Sequence, residues 1–205
     1  MIVSNARKGA VRLTQVYIAN CSIFDDDSSI SSVLPKLDSR RRKKICSLKT
    51  TKKKAQSIVA GLLLNKLFGE GSTYCYNDCG KPYLVDNQAY FNISHCDEWV
   101  ALAVSDKEIG FDLQSISPIR PAVLRRCFTV QEQNWIGEDA ERFMCLWVRK
   151  EAYTKYTGEG LVSPIVDIIP SESVPFCEGK WQTMRYALFG DNQLTINLLD
   201  AKDLL

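Results

Sequence analysis

The chain has 205 residues, a net charge of +2 and 45% hydrophobic residues, which suits a globular core and argues against disorder or a fibre. Its longest apolar runs, such as Ile58 to Leu64, fall far short of the ~20 residues of a spanning helix, and Met1 to Ala10 carries no hydrophobic signal core, so a cytoplasmic protein without a membrane role is expected. Eight cysteines without a secretion signal read as reduced thiols; Cys75 and Cys79 are the only close pair and, with a single histidine in the chain, do not make a zinc site.

In chain order, Val11 to Ile18 alternates weakly, is rich in Val, Leu and Tyr, and predicts a strand. Phe24 to Pro35 holds Asp25, Asp26, Asp27 and four serines; it reads as a loop or frayed helix start, without the ligand spacing of a calcium loop. From Lys36 to Lys54 there are ten basic residues and one acid, Asp38. That cluster is either a solvated helix face or a site for phosphate. Ala55, Ile58, Val59, Leu62, Leu63 and Leu67 then share one helical face, with Thr50 or Thr51 to start the helix and Gly69 to end it.

Gly69 to Pro82 reads as a loop with one short strand. Ala89–Ile93 and Val100–Val104 predict two strands joined tightly through Ser94, His95 and Cys96. A third strand at Ile109–Leu113 would complete an antiparallel meander. Gln114 to Pro121 leads towards helices, of which the long one should run from about Ala140 to Tyr156 and stop at Gly158. After Pro164 the pattern returns to β. Trp181–Phe189 and Gln193–Leu199, separated by Gly190, Asp191 and Asn192, predict a hairpin. This order allows two α/β halves joined near residue 106.

Three clusters could carry chemistry. Phe91-Asn92-Ile93-Ser94-His95 presents a hydroxyl beside the one imidazole, or is simply a turn with a structural histidine. Ile109 to Gln114 places Asp112 in an apolar strand, where Asp is disfavoured; it is a metal ligand or an ordinary strand-end residue. Trp147, Glu151 and Lys155 are spaced four apart and share a helix face. If that face is buried, Glu151 and Lys155 need a metal, a phosphate or each other.

Together these clusters resemble the surfactin-type 4'-phosphopantetheinyl transferases. Gly110-Phe111-Asp112 matches that family's Gly-Ile/Val-Asp motif with Phe in the middle. Trp147 to Lys155 matches its Trp-x-x-Lys-Glu-x-x-x-Lys motif at every fixed position. Gly80-Lys81-Pro82 and Phe91 to His95 match its Gly-Lys-Pro and Phe-Asn-x-Ser-His elements, and Gly158 to Leu161 with Pro164 fits its tail. The resemblance runs from about residue 36 to 165.

The resemblance implies an α+β fold of two similar α/β halves, a pseudo-dimer divided here as 1–105 and 106–205, with the active site in the cleft between them. It implies that coenzyme A is the substrate, Mg2+ the cofactor, and a serine of an apo-acyl or peptidyl carrier protein the acceptor, with 3',5'-ADP released. Carried over residue by residue, Asp112, Glu151 and Gln114 would face the metal, and Glu151 and Lys155 would act in catalysis. Arg42, Lys81, Ser94, His95 and Lys155 would bind the coenzyme, Arg42 and its neighbours meeting the 3'-phosphate. Gln114 departs from the acid that many members carry two places after the Asp. A nucleic-acid binder using Arg40 to Lys54 would leave Asp112, Glu151 and Lys155 unexplained. A chain long enough to hold both halves is expected to be a monomer.

Overall fold

The computed structural model describes residues 13–70, 74–85, 89–160 and 174–205. The first half begins with strand β1 (Thr14–Asn20) and helices α1 (Asp27–Val33), α2 (Ser39–Ser47) and α3 (Thr51–Phe68). Strands β2 (Tyr74–Tyr76), β3 (Pro82–Leu84), β4 (Tyr90–Cys96) and β5 (Trp99–Ser105) follow. The second half contains β6 (Gly110–Ser115), α4 (Pro121–Cys127), α5 (Val130–Ile136), α6 (Ala140–Thr157), β7 (Phe176–Trp181), β8 (Met184–Phe189) and β9 (Leu194–Leu199).

The helix signals translate directly. Asp26 and Ser29 form a capping box that starts α1, where a loop or frayed start was expected. Thr50 accepts from the Lys53 amide to start α3, and Gly69 follows its last residue. Asp139 caps α6, which ends at Gly158 in the left-handed conformation that costs glycine little.

The first sheet has the order β4-β5-β1-β9 and the second β6-β8-β7. Alternation along the strands divides the core. Val16, Ile18, Ala101 and Ala103 face the second sheet, packing with Phe111, Leu113 and Leu188. Ala19, Val100 and Leu102 face α3, packing with Ile58, Leu62 and Leu63. On the far side of the second sheet, Val148 and Ala152 of α6 pack on Ala187 and Phe189. The layers therefore run α3, first sheet, second sheet, α6. Each fully buried Leu or Ile in them contributes roughly 1.5–3 kcal/mol.

Two strand expectations are corrected. The predicted hairpin across Gly190 to Asn192 does not form: β9 leaves β8 and pairs in parallel with β1, from Thr14↔Leu194 to Ala19↔Leu199. Asp191 is buried there and accepts from the Thr14 amide and hydroxyl at 3.2 and 2.8 Å. That anchor holds the start of β1 beside the β8–β9 connection. The hairpin lies one strand earlier, with β7 antiparallel to β8. Because β9 returns to the first sheet, a division at 105/106 separates the strands of the two sheets everywhere except at β9. Finally, β6 does not extend the β4–β5 meander; it begins the second sheet. The predicted tail residues Leu161 and Pro164 lie outside the described residues.

Candidate active site

The two sheets are joined by a ladder of side chains. Asn92, Ser94 and Cys96 alternate along β4 and point to β6. Asn92 Oδ1 accepts from Phe111 N at 3.0 Å, Ser94 Oγ from Leu113 N at 3.1 Å, and Cys96 Sγ from Ser115 N at 2.8 Å. The side chains thus replace a backbone partner for this edge of β6. Ser94 and His95 belong to β4 itself, and the turn they were expected to form lies at Asp97 and Glu98.

The seam sets the position of Asp112, which is fully buried. Its Oδ1 accepts from Ser94 Oγ at 2.7 Å and from Lys155 Nζ at 2.5 Å. Its Oδ2 accepts from Gln114 Nε2 at 3.1 Å, and the same amide nitrogen donates to Glu151 Oε2 at 3.3 Å. Gly110 explains how α6 comes so close. A Cβ there would lie 2.1 Å from Ala152 O and 2.3 Å from Tyr156 N. Any side chain at 110 would push α6, and with it Glu151 and Lys155, away from Asp112.

The charges of the cluster do not cancel. Lys155 offsets one carboxylate; burial, and after it the charge of Asp112, push the Glu151 carboxyl up to about 7, against the pull of Lys155 and Arg120. Two carboxylates that repel one another, one fully buried and one lining a cavity, are a good setting for a divalent cation with oxygen ligands. Asp112 and Glu151 fit magnesium by donor type. Gln114 presents its NH2 to both carboxylates, so it acts as a donor in this arrangement. Turning the amide over would present its carbonyl oxygen instead.

A trough leads away from this cluster. A cavity of about 270 Å³ is lined by Lys81, Pro82, Ile93, Glu151 and Lys155. It shares Gly80, Pro82 and Ile93 with a second cavity of about 400 Å³, lined also by Arg41, Lys44, Lys53, Ser57 and His95. The β2–β3 hairpin covers the junction, fastened by Asn77 Nδ2 donating to Gly158 O at 3.0 Å. The cationic end is a consequence of α2 crossing α3. Gly61 leaves room for the Arg41 side chain, since a Cβ there would stand 2.5 Å from Arg41 Cδ.

The expected coenzyme contacts divide. Lys155 and His95 both face the trough. Withdrawal from water, with the nearby Lys155 ammonium, pushes the His95 imidazolium below its usual range. Ser94 is buried and committed to Asp112 and Leu113, which makes it a support for the acid. Lys81 lines the trough with its chain, but its ammonium pairs with Glu108 and donates to Tyr156 O at 3.2 Å. It fastens the β2–β3 hairpin to the second half. Arg42 is exposed on α2 and does not line the trough. Its neighbours Arg41 and Lys44 do, and burial followed by the Arg41 charge pushes the Lys44 ammonium below its usual range. Arg41 is buried, donating to Ser57 O and Tyr74 Oη, each at 3.1 Å.

Sequence reasoning missed Ser57, and had Lys53 only as one of the ten charges of the Lys36–Lys54 cluster. The Ser57 hydroxyl is buried in the trough wall with no hydrogen-bond partner among the described residues. The available signal was a serine set within the apolar run of α3, between Ala55 and Ile58.

Comparison with known proteins gives the same reading as the motifs. Residues 108–196 match the model of the 4'-phosphopantetheinyl transferase superfamily. The chain is 34% identical over 122 residues to the 4'-phosphopantetheinyl transferase gsp of Aneurinibacillus migulanus, covering 54% of this chain and 51% of that protein. It is 35% identical over 92 residues to the 4'-phosphopantetheinyl transferase Sfp of Bacillus subtilis (strain 168), covering 42% of this chain and 41% of that protein. The chain thus spans about half the length of the curated relatives it matches.

Proposed function

We propose that the chain transfers the 4'-phosphopantetheine arm of coenzyme A to a serine hydroxyl of an apo-acyl or peptidyl carrier protein. The observation that carries this reading is the Asp112–Glu151 pair, beside Lys155, at one end of a trough whose other end holds Lys44, Lys53 and His95. An elongated substrate with a pyrophosphate in its middle and a further phosphate at its nucleotide end matches that spacing of charge. The similarity to named 4'-phosphopantetheinyl transferases supports the same reading.

In this mechanism the serine oxygen bonds to the β-phosphorus as the bond to the 3',5'-ADP oxygen breaks. Glu151 accepts the serine proton, directly or through a water. Its carboxyl is pushed up to about 7 in the metal-free cluster; a bound cation would favour the ionised form, which is the form that accepts a proton. Lys155 turns from Asp112 to the phosphate oxygens as a mobile point charge. Asp112 and Glu151, with Gln114 beside them, would hold a magnesium ion, which offsets charge on the pyrophosphate and organises in-line attack. Arg41, Lys44 and His95 would receive the 3'-phosphate, and Ser57 would gain a hydrogen bond there.

Asp112, Glu151 and the cationic end all come from one chain, which supports a monomer. Helix α3 on the first sheet and helix α6 on the second support the reading of two similar halves. No helix among the described residues is long and apolar enough to cross a membrane; the cytoplasm, where coenzyme A is available, remains the proposed location. The test is incubation with an apo-carrier, coenzyme A and magnesium. The carrier should gain the mass of one phosphopantetheine arm with the native protein and not with Glu151→Gln. No gain on any apo-carrier would overturn the reading.

A further inference from the structure

We infer that the β2–β3 hairpin is a strap across the trough, and that its tip must lift from the end of α6 for coenzyme A to enter and for 3',5'-ADP to leave. The inference rests on the coenzyme lying in that trough, as proposed above. The latch of the strap is formed by Lys81 with Glu108 and by Asn77 with Gly158.

Three observations give the hairpin this role. First, no larger sheet holds it. Among the described residues β2 and β3 pair only with each other, and a lone two-stranded hairpin is marginally stable in water. Its position is therefore set by its anchors, which differ at its two ends. At the base, Leu84 is buried in the first core with Tyr74 packed against it. Tyr74 Oη also donates to Asp38 Oδ2 at 2.9 Å and accepts from Arg41 Nε at 3.1 Å. Apolar burial makes that end the fixed one. At the tip, Asn77 to Gly80 are exposed. The bonds that tie it to the second half are polar: Asn77 Nδ2 to Gly158 O, and Lys81 Nζ to Glu108 and to Tyr156 O. Bonds of that kind exchange for water at little net cost, so the tip is the end that opens.

Second, the tip crosses the path of the ligand. Gly80 and Pro82 line both cavities of the trough, and the hairpin there joins the first half to the second. A ligand that occupies both cavities lies under this bridge, with its pyrophosphate on one side and its 3'-phosphate on the other. Entry from the side then requires the bridge to part from one half. Third, the latch is not closely packed. A further cavity of about 360 Å³ is lined by Asn77, Lys81, Glu108, Tyr156 and Gly158, and Lys81 and Gly158 line the trough as well. With a cavity on each side, the tip moves without displacing core atoms.

The experiment mixes the full chain and magnesium with coenzyme A carrying a dye on its thiol. Association is read by stopped-flow anisotropy, and dissociation by a chase of unlabelled coenzyme A. Asn77→Ser keeps a hydroxyl for the turn to the Lys81 amide and falls short of Gly158 O; Glu108→Gln removes the charge that Lys81 pairs with. Each should raise both rates by roughly 2- to 10-fold, the size of one net hydrogen bond, with the dissociation constant moving less than either rate. A third variant closes the latch. A Cβ at Gly160 would stand 3.8 Å from Cys79 Cβ, the spacing of a disulfide, so Gly160→Cys treated with oxidised glutathione ties the tip to the second half. Both rates should collapse on oxidation and recover on reduction, and neither change should occur when Cys79→Ser is added. Rates unaltered in Asn77→Ser and Glu108→Gln would overturn the strap, and so would a cross-linked protein that exchanges coenzyme as fast as the reduced one. A rise in dissociation alone would make the latch residues ligand contacts and overturn it too. A native protein that binds no labelled coenzyme would remove the proposed function, and this inference with it; native binding with unaltered variants would remove only the strap.

Discussion

Lys155 on α6 donates to Asp112 on β6 at 2.5 Å, joining a partly exposed ammonium to a fully buried carboxylate. The bond neutralises one of two acids and leaves Glu151 with the amide of Gln114 at 3.3 Å and the more distant pull of Lys155 and Arg120, without an ion pair of its own among the described residues. The site is therefore one positive charge short in the absence of a ligand. That deficit makes it receptive to a divalent cation and also makes it a local source of instability.

Lys155→Met should lower the stability of the metal-free protein by roughly 2 kcal/mol. Breaking a buried ion pair strands the remaining charge, and the partial exposure of Lys155 softens the cost. Thermal unfolding with and without magnesium checks this. The loss should shrink when magnesium is present, since the ion takes over part of the neutralisation of Asp112. Unchanged unfolding in both conditions would mean that the pair contributes nothing.

Glu151 gives a pH signature. Its folded carboxyl is pushed up to about 7 from an ordinary value of 4.5. The folded state therefore holds this proton more tightly than the unfolded chain. Its contribution to stability is present at low pH and is lost as pH rises through about 7. The metal-free protein should lose Tm as pH rises from about 4.5 to about 7, the interval between those two pKa values, and change little from this group above it. Glu151→Gln should flatten that decline and also reduce transfer by ~10²-fold or more, through loss of both a metal ligand and the base. Near-native turnover would remove Glu151 from the mechanism, and an unchanged pH slope would remove its raised carboxyl.

Helices α3 and α6 were legible because their apolar spacing and their caps, Thr50 with Gly69 and Asp139 with Gly158, agree. The acids and Lys155 were legible through motif spacing. The pairing of β9 was not. Gly190-Asp191-Asn192 has good turn chemistry, and only the distant Thr14, bonded to Asp191, reveals that the chain crosses to the first sheet. Nor does a strand pattern disclose that Asn92, Ser94 and Cys96 bind the β6 backbone. Lys81 and Arg42 look like free cations in sequence. Folding ties the first to Glu108 and leaves the second outside the trough.

Gln114→Glu should tighten magnesium binding by adding an anionic oxygen beside Asp112 and Glu151. The same change should destabilise the metal-free protein, because a third carboxylate replaces the NH2 that now bridges the other two. Calorimetric titration with magnesium and thermal unfolding in chelator read the two effects separately. Affinity and metal-free stability both unchanged would show that residue 114 does not act on the acid pair.

The cationic end of the trough should distinguish coenzyme A from its 3'-dephospho form. Lys44 is held near Arg41, and both face a space bordered by His95 and the unpartnered Ser57 hydroxyl. A phosphate there would supply charge to Lys44 and a partner to Ser57, so the native protein should bind dephospho-coenzyme A more weakly. Lys44→Ala should shrink the ratio of the two KM values by ~10-fold, as expected for one charge-assisted contact. Ser57→Ala should shrink it less, since a neutral hydroxyl makes the weaker bond. Arg42→Ala, changed on the exposed side of α2, should leave the ratio as it was. Arg41 is a poorer probe because its buried guanidinium also holds Ser57 O and Tyr74, and its removal would disturb the α2–α3 contact. If Arg42→Ala and Lys44→Ala both raise only the carrier KM, the basic segment faces the carrier protein and the trough does not hold the 3'-phosphate.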